Sequence, residues 1–144
     1  MNNSSQNNLN KIKKVKNKRR ILIVDDNKMF RDTIKRLLED TKLYYVQTAQ
    51  DGKVAINLLK QHTFDLLITD YEMPEMNGYE LFKKCKTIRP RLPVVFITGS
   101  RFNERMIEKA KTEGVVGCIY KPFDISDVTK MVDISIRMNI KEVD

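Results

Sequence analysis

The chain has 144 residues, with 27 Lys and Arg against 19 Asp and Glu and a formal charge of +8. Seven of those bases (Lys11, Lys13, Lys14, Lys16, Lys18, Arg19 and Arg20) fall in the first 20 residues, which carry no acid. The remainder holds 20 bases and 19 acids, so the excess charge belongs to a basic tail and does not mark a dedicated nucleic-acid-binding domain.

One domain is expected at this length, and the residues after the tail can bury about two-thirds of their surface without a disulfide or metal staple. Cys85 and Cys118 lie 33 positions apart with no CxxC spacing. No apolar run approaches the ~20 residues of a membrane span, and the N-terminus lacks the apolar stretch of a secretory signal. A reducing cytoplasm is the expected compartment. A single histidine, His62, excludes a site built from two or three imidazoles, and the lack of Trp argues against a base-stacking surface.

Residues 1–19 are rich in Asn, Ser, Gln and Lys and are expected to form a disordered tail, with Leu9, Ile12 and Val15 at a weakly helical spacing. From Arg20 the pattern changes. Ile21 to Val24 is a branched apolar run ending in Asp25-Asp26, as in a strand buried on both faces. Met29, Phe30, Ile34, Leu37 and Leu38 then recur at helical spacing. Tyr44 to Thr48 reads as a second strand, followed by a helix over about 51–61. Phe64 to Thr69 is a third strand ending in Asp70, with Pro74 and Gly78 punctuating the loop before a helix through Leu81, Phe82 and Cys85. Leu92 to Ile97 is a fourth strand ending at Thr98, before a helix of about 103–112. Val115 to Tyr120 is a fifth strand ending at Lys121-Pro122, and a helix over about 124–138 closes the series.

Strand ends near 25, 48, 70, 98 and 120 alternate with helices, which argues for an α/β parallel sheet covered on both faces. Open sheets of this kind bind ligands at the carboxyl ends of their strands. Asp25, Asp26, Asp70, Thr98 and Lys121 all fall there. If the strand order is 2-1-3-4-5, the first and third strands are neighbours and three carboxylates converge. Two unit charges ~4 Å apart repel by roughly 4 kcal/mol at an effective dielectric near 20, so the cluster needs a cation. Lys121 supplies one positive charge, and an oxygen-only donor set selects a hard ion, Mg2+ before Zn2+.

Asp25-Asp26, Asp70 followed by Met73-Pro74 and Asn77-Gly78, Thr98-Gly99 and Lys121-Pro122-Phe123 together resemble the receiver domain of two-component response regulators. The likeness covers residues 20–140, leaving 141–144 as a short C-terminal end. It implies a five-stranded flavodoxin-like, CheY-like three-layer sandwich. It also implies that Asp70 is the phosphoacceptor, attacking the phosphorus of a phosphohistidine carried by a sensor histidine kinase or a histidine phosphotransfer protein. Asp26, Asp70 and the backbone carbonyl of Glu72 would bind Mg2+, with Asp25 orienting a metal-bound water. Lys121 would pair with Asp70 before transfer, and Thr98 would donate its hydroxyl to the phosphoryl group afterwards. The bond before Pro122 is usually cis in the family.

Two positions depart from the family pattern. Cys118 stands where receivers usually place an aromatic switch residue, and Tyr120, on the same strand face, is expected to take part of that role. Glu72 is acidic where many relatives are neutral, and with Ser100 it is expected to control the lifetime of the phosphoryl group. Only 21 residues follow Phe123, so a stand-alone receiver is expected, monomeric or dimerising on phosphorylation. It would signal to a target through its fourth helix, fifth strand and fifth helix, as an effector or as a relay intermediate; the basic tail is expected to be a solvated extension, with electrostatic attachment to nucleic acid, anionic lipid or an acidic partner as the alternative. A receiver-like scaffold that works without phosphate is the alternative. A Mg2+-dependent phosphohydrolase would want Asp-x-Asp at the third strand, where this chain has Asp70-Tyr71-Glu72, so catalytic turnover is not expected.

Overall fold

Of the five strands, only the third and fourth are buried along their whole length. The computed structural model describes residues 18–143. β1 (Arg19–Val24), β2 (Tyr44–Ala49), β3 (Leu66–Asp70), β4 (Val94–Thr98) and β5 (Gly117–Tyr120) alternate with helices α1 (Lys28–Glu39), α2 (Gly52–Gln61), α3 (Gly78–Ile88), α4 (Glu104–Thr112) and α5 (Ile125–Val143). All pairings are parallel and the strand order is β2-β1-β3-β4-β5, as the alternation and the resemblance imply.

Helices cover both faces because β1, β3 and β4 carry apolar side chains on both. On one face Leu22, Val24, Leu67, Val94 and Phe96 pack with Ala55 and Leu59 of α2, Leu81, Phe82 and Cys85 of α3, and Ile107 and Ala110 of α4. On the other, Ile21, Ile23, Ile68, Val95 and Ile97 pack with Ile34 and Leu38 of α1 and Val128 and Val132 of α5. The period-two alternation of each strand thus feeds two separate apolar layers.

Three helices start with the same device. Asn27, Asp51 and Asn77 stand in extended conformation at the N-caps of α1, α2 and α3, and each side chain accepts the backbone N–H three residues on. At α3 the reciprocal bond from Asn77 N–H to Glu80 completes a capping box.

Several boundaries differ from the sequence reading. β1 begins at Arg19, whose guanidinium lies 3.7 Å from Asp65, so this residue belongs to the sheet and not to the tail. β3 and β4 start two residues later than expected and end on Asp70 and Thr98 themselves. Residues 141–143, expected as an end outside the domain, continue α5, since no Gly or Pro follows Asp124 to stop the helix. The readings made for residues 1–17 lie outside the described residues. Among the described residues no helix is long and apolar enough to cross a membrane.

Candidate functional site

Parallel register sets the site. Val24 pairs with Thr69, so Asp25 just beyond β1 and Asp70 at the end of β3 stand side by side. Asp70 in turn pairs with Ile97, and Thr98 pairs with Tyr120, which brings the ends of β4 and β5 alongside. Asp25 and Asp70 are buried while Asp26 is exposed at the mouth. Each of the three carboxylates offers an oxygen within 4.8 Å of the other two.

Asp25 is held from several sides. Its Oδ1 accepts the N–H of Asn27 at 2.8 Å, and its backbone carbonyl accepts from the Arg31 guanidinium at 2.6 Å. Its other oxygen, Oδ2, lies 3.4 Å from Lys121 Nζ. Among the described residues Asp70 has no ion pair of its own, and its carboxyl is pushed up to about 6. Burial is the chief cause, followed by the Asp25 carboxylate; Lys121 and the backbone amide of Glu72 pull the other way.

Lys121 therefore sits differently from the pairing expected with Asp70. Its ammonium also lies 4.0 Å from the centre of the Phe30 ring on α1. The ring face and the more deeply buried Asp25 carboxylate together draw it toward the β1 side. The Lys121–Pro122 peptide bond is cis.

Thr98 is fully buried, and its hydroxyl is engaged by its own loop: it accepts the Ser100 N–H at 3.2 Å and faces the Ser100 carbonyl at 3.4 Å. Ser100 Oγ accepts the N–H of Phe102 at 3.1 Å. Glu72, two residues after Asp70, points its carboxylate out of the pocket, where Oε1 accepts from the amide of Asn103 at 2.9 Å. Cys118 and Tyr120 are both half-buried on one face of β5, as the alternation predicts. Burial pushes the Cys118 thiol up to about 11, which leaves it a neutral packing group. The Tyr120 ring carries the Arg101 guanidinium 4.2 Å from its centre.

Gly78 closes the loop after the acidic strand end. Its N–H donates to the Tyr71 carbonyl at 2.7 Å. A Cβ at this place would stand 2.7 Å from the Asp70 carbonyl oxygen and 2.9 Å from Tyr71 Cα, both backbone atoms that cannot swing aside.

The structure thus brings together Asp25, Asp26, Asp70, Thr98 and Lys121, and places Glu72, Ser100, Cys118 and Tyr120 around the rim. Sequence reasoning missed Phe30, Arg31, Arg101 and Asn103. Of these, Phe30 was visible only as part of a helix face, and Asn103 as the first residue of the expected fourth helix, a place that favours an Asn cap. The donor set suits a hard divalent cation: three carboxylates meet one ammonium, and among the described residues neither Cys nor His joins the cluster.

The family model for the response regulator receiver domain matches residues 21–133. The chain is 39% identical over 116 residues to chemotaxis protein CheY-3 of Vibrio cholerae, covering 79% of this chain and 88% of that protein. It is 38% identical over 106 residues to chemotaxis protein CheY of Pseudomonas aeruginosa, covering 72% and 85%. A receiver domain protein from Clostridium thermocellum superposes with a TM-score of 0.79 at 27% identity, covering 87% of this chain and 98% of that one. The family match takes in the acidic pocket, the loops around it and all of the sheet except Arg19 and Arg20, and the chain belongs to the response regulator receiver family of two-component signalling.

Proposed function

We propose that this receiver takes a phosphoryl group from a phosphohistidine onto Asp70, and that the modified site changes what the α4, β5 and α5 face binds. The observation that carries the reading is the convergence of Asp25, Asp26 and Asp70 within 4.8 Å, beside Lys121 and Thr98. A carboxylate oxygen of Asp70 forms the new O–P bond as the N–P bond of the donor breaks, and the imidazole leaves with the bonding pair. Little further chemistry is asked of the protein, so positioning and charge neutralisation dominate. Lys121 is within reach to neutralise a phosphoryl oxygen, and Thr98 to donate its hydroxyl to another once it leaves Ser100.

Asp25, Asp26, Asp70 and the backbone carbonyl of Glu72 would hold Mg2+, which when bound supplies positive charge to the transferring oxygens. The donor is a sensor histidine kinase or a histidine phosphotransfer protein, in the cytoplasm. Incubation with a phosphotransfer protein separates a relay intermediate, which passes the group in both directions, from an effector, which does not. Glu72 and Ser100 set the lifetime of the aspartyl-phosphate; equal half-lives for the wild type and Glu72→Asn would refute that role.

The test is treatment with acetyl phosphate and Mg2+ followed by intact mass. One added phosphoryl group is expected in the wild type and none in Asp70→Ala. An unmodified wild type would favour a scaffold that works without phosphate.

A further inference from the structure

Asn103 occupies the N-cap of α4 without capping it. Its backbone carbonyl already accepts the Ile107 N–H at 2.9 Å, as an N-cap carbonyl should. Its side chain makes no cap bond; the amide instead donates to Glu72 Oε1 at 2.9 Å. The N-cap residues of α1, α2 and α3 have ψ of 111°, 176° and 174°, and all three side chains bond the first turn. Asn103 has ψ of 19°, which turns its side chain away from the first turn. α4 therefore starts with an Asn of the right type in the wrong conformation, held there by a residue two positions from the acceptor Asp70.

We infer that Asn103 is a two-position residue: it ties Glu72 across the rim of the pocket in the unmodified protein, and caps α4 when Asp70 is phosphorylated. The inference rests on the phosphoacceptor reading above. The link runs through Thr98. To reach a phosphoryl oxygen its hydroxyl must leave the Ser100 carbonyl, which loosens the turn that also holds the Phe102 N–H on Ser100 Oγ. A turn so loosened lets ψ of Asn103 rotate to the extended value of the other caps, and its side-chain oxygen then accepts the Arg105 or Met106 N–H. That single rotation re-aims the preceding loop, which carries Arg101 on the Tyr120 ring and Phe102, 99% exposed. The device couples the acceptor loop to the signalling face without an aromatic side chain at Cys118.

Substitutions of nearly equal size separate the two positions. Asn103→Asp keeps a capping oxygen but cannot donate to Glu72, whereas Asn103→Ala can do neither. Glu72→Gln keeps the acceptor and removes the charge. Amide hydrogen exchange in the first turn of α4 is the readout, since added capping slows it and mere destabilisation speeds it. Without a phosphodonor, Asn103→Asp is expected to slow exchange about fivefold, the factor a single N-cap typically supplies, while Glu72→Gln matches the wild type. With acetyl phosphate and Mg2+, and compared at equal phosphorylated fraction by intact mass, the wild type and Glu72→Gln should slow to the same degree, and Asn103→Ala should not respond.

Wild-type exchange rates in donor-free Asn103→Asp overturn the two-position assignment. A wild type that gains a phosphoryl by intact mass yet exchanges as before overturns the coupling to Thr98. A wild type that gains no phosphoryl overturns the acceptor reading, and a donor-free Asn103→Asp effect in that same experiment still supports the two conformations of Asn103.

Discussion

β3 and β5 end within one strand of each other at the same edge, yet they are built in opposite ways. Every residue of β3 from Leu66 to Asp70 is buried, whereas β5 alternates buried Gly117 and Ile119 with half-exposed Cys118 and Tyr120. β3 has neighbours on both sides, and β5 is the sheet edge. A central strand with no freedom is where an acceptor carboxylate must stand if a donor is to meet it in line. An edge strand with half-exposed side chains is where a change can reach solvent and a partner. On the proposed reading, reaction and readout are separated by the width of β4, whose terminal Thr98 pairs with Tyr120 of β5.

The largest test of this contrast is thermodynamic. Leu67→Ala should lower stability to unfolding by about 2–5 kcal/mol, because the cavity is walled by strands on both sides. Cys118→Ala should cost less than about 1 kcal/mol at its half-exposed place. Equal losses in denaturant titrations would break the distinction.

A smaller effect lies in the cost of burying Asp70. Asp70 holds its proton up to a pH of about 6 when folded, against 3.8 ordinarily. Because the folded value is raised, its favourable contribution is complete below about pH 4 and is lost as the pH rises through 6. Without Mg2+, Asp70→Asn should therefore be more stable than the wild type at pH 7, by on the order of 2 kcal/mol after allowance for solvent screening. The gap should close on acidification to pH 4 and shrink when Mg2+ is added. Unfolding curves across that range check the sign.

Tyr120→Ala sharpens the other side of the contrast. It removes a stack with Arg101 worth about 0.5–1 kcal/mol, so the fold should hardly notice. Target affinity, by contrast, should respond less to phosphorylation than in the wild type. An undiminished response in a binding titration of phosphorylated and unphosphorylated protein would remove Tyr120 from the readout.

Much of this was legible in the residues because burial and chemistry leave periodic marks. The apolar runs ending in Asp25, Asp70 and Thr98 marked strand ends to within a residue or two, and their order on the sheet followed from the resemblance. The side-chain pairings were not legible. That Lys121 leans toward Asp25 depends on the Phe30 ring, which comes from a helix whose rotation no spacing specifies. Likewise, Asn103 stands at the start of the expected fourth helix, and only the approach of the β3–α3 loop to α4 shows a competing acceptor in Glu72. Periodicity reports which face is buried; it carries no information about which polar group another loop will deliver.

Gly78 does no chemistry, yet it limits how this pocket could be rebuilt on another scaffold. Because a side chain there would collide with the backbone of Asp70 and Tyr71, the loop from Tyr71 to Asn77 can close only over a residue that has none. A designer transplanting the three carboxylates and the lysine would obtain the charges without their spacing unless this bare position travelled with them. By the same steric logic, screening variants for a gain in helix propensity would nominate Ala at position 78 and lose the site.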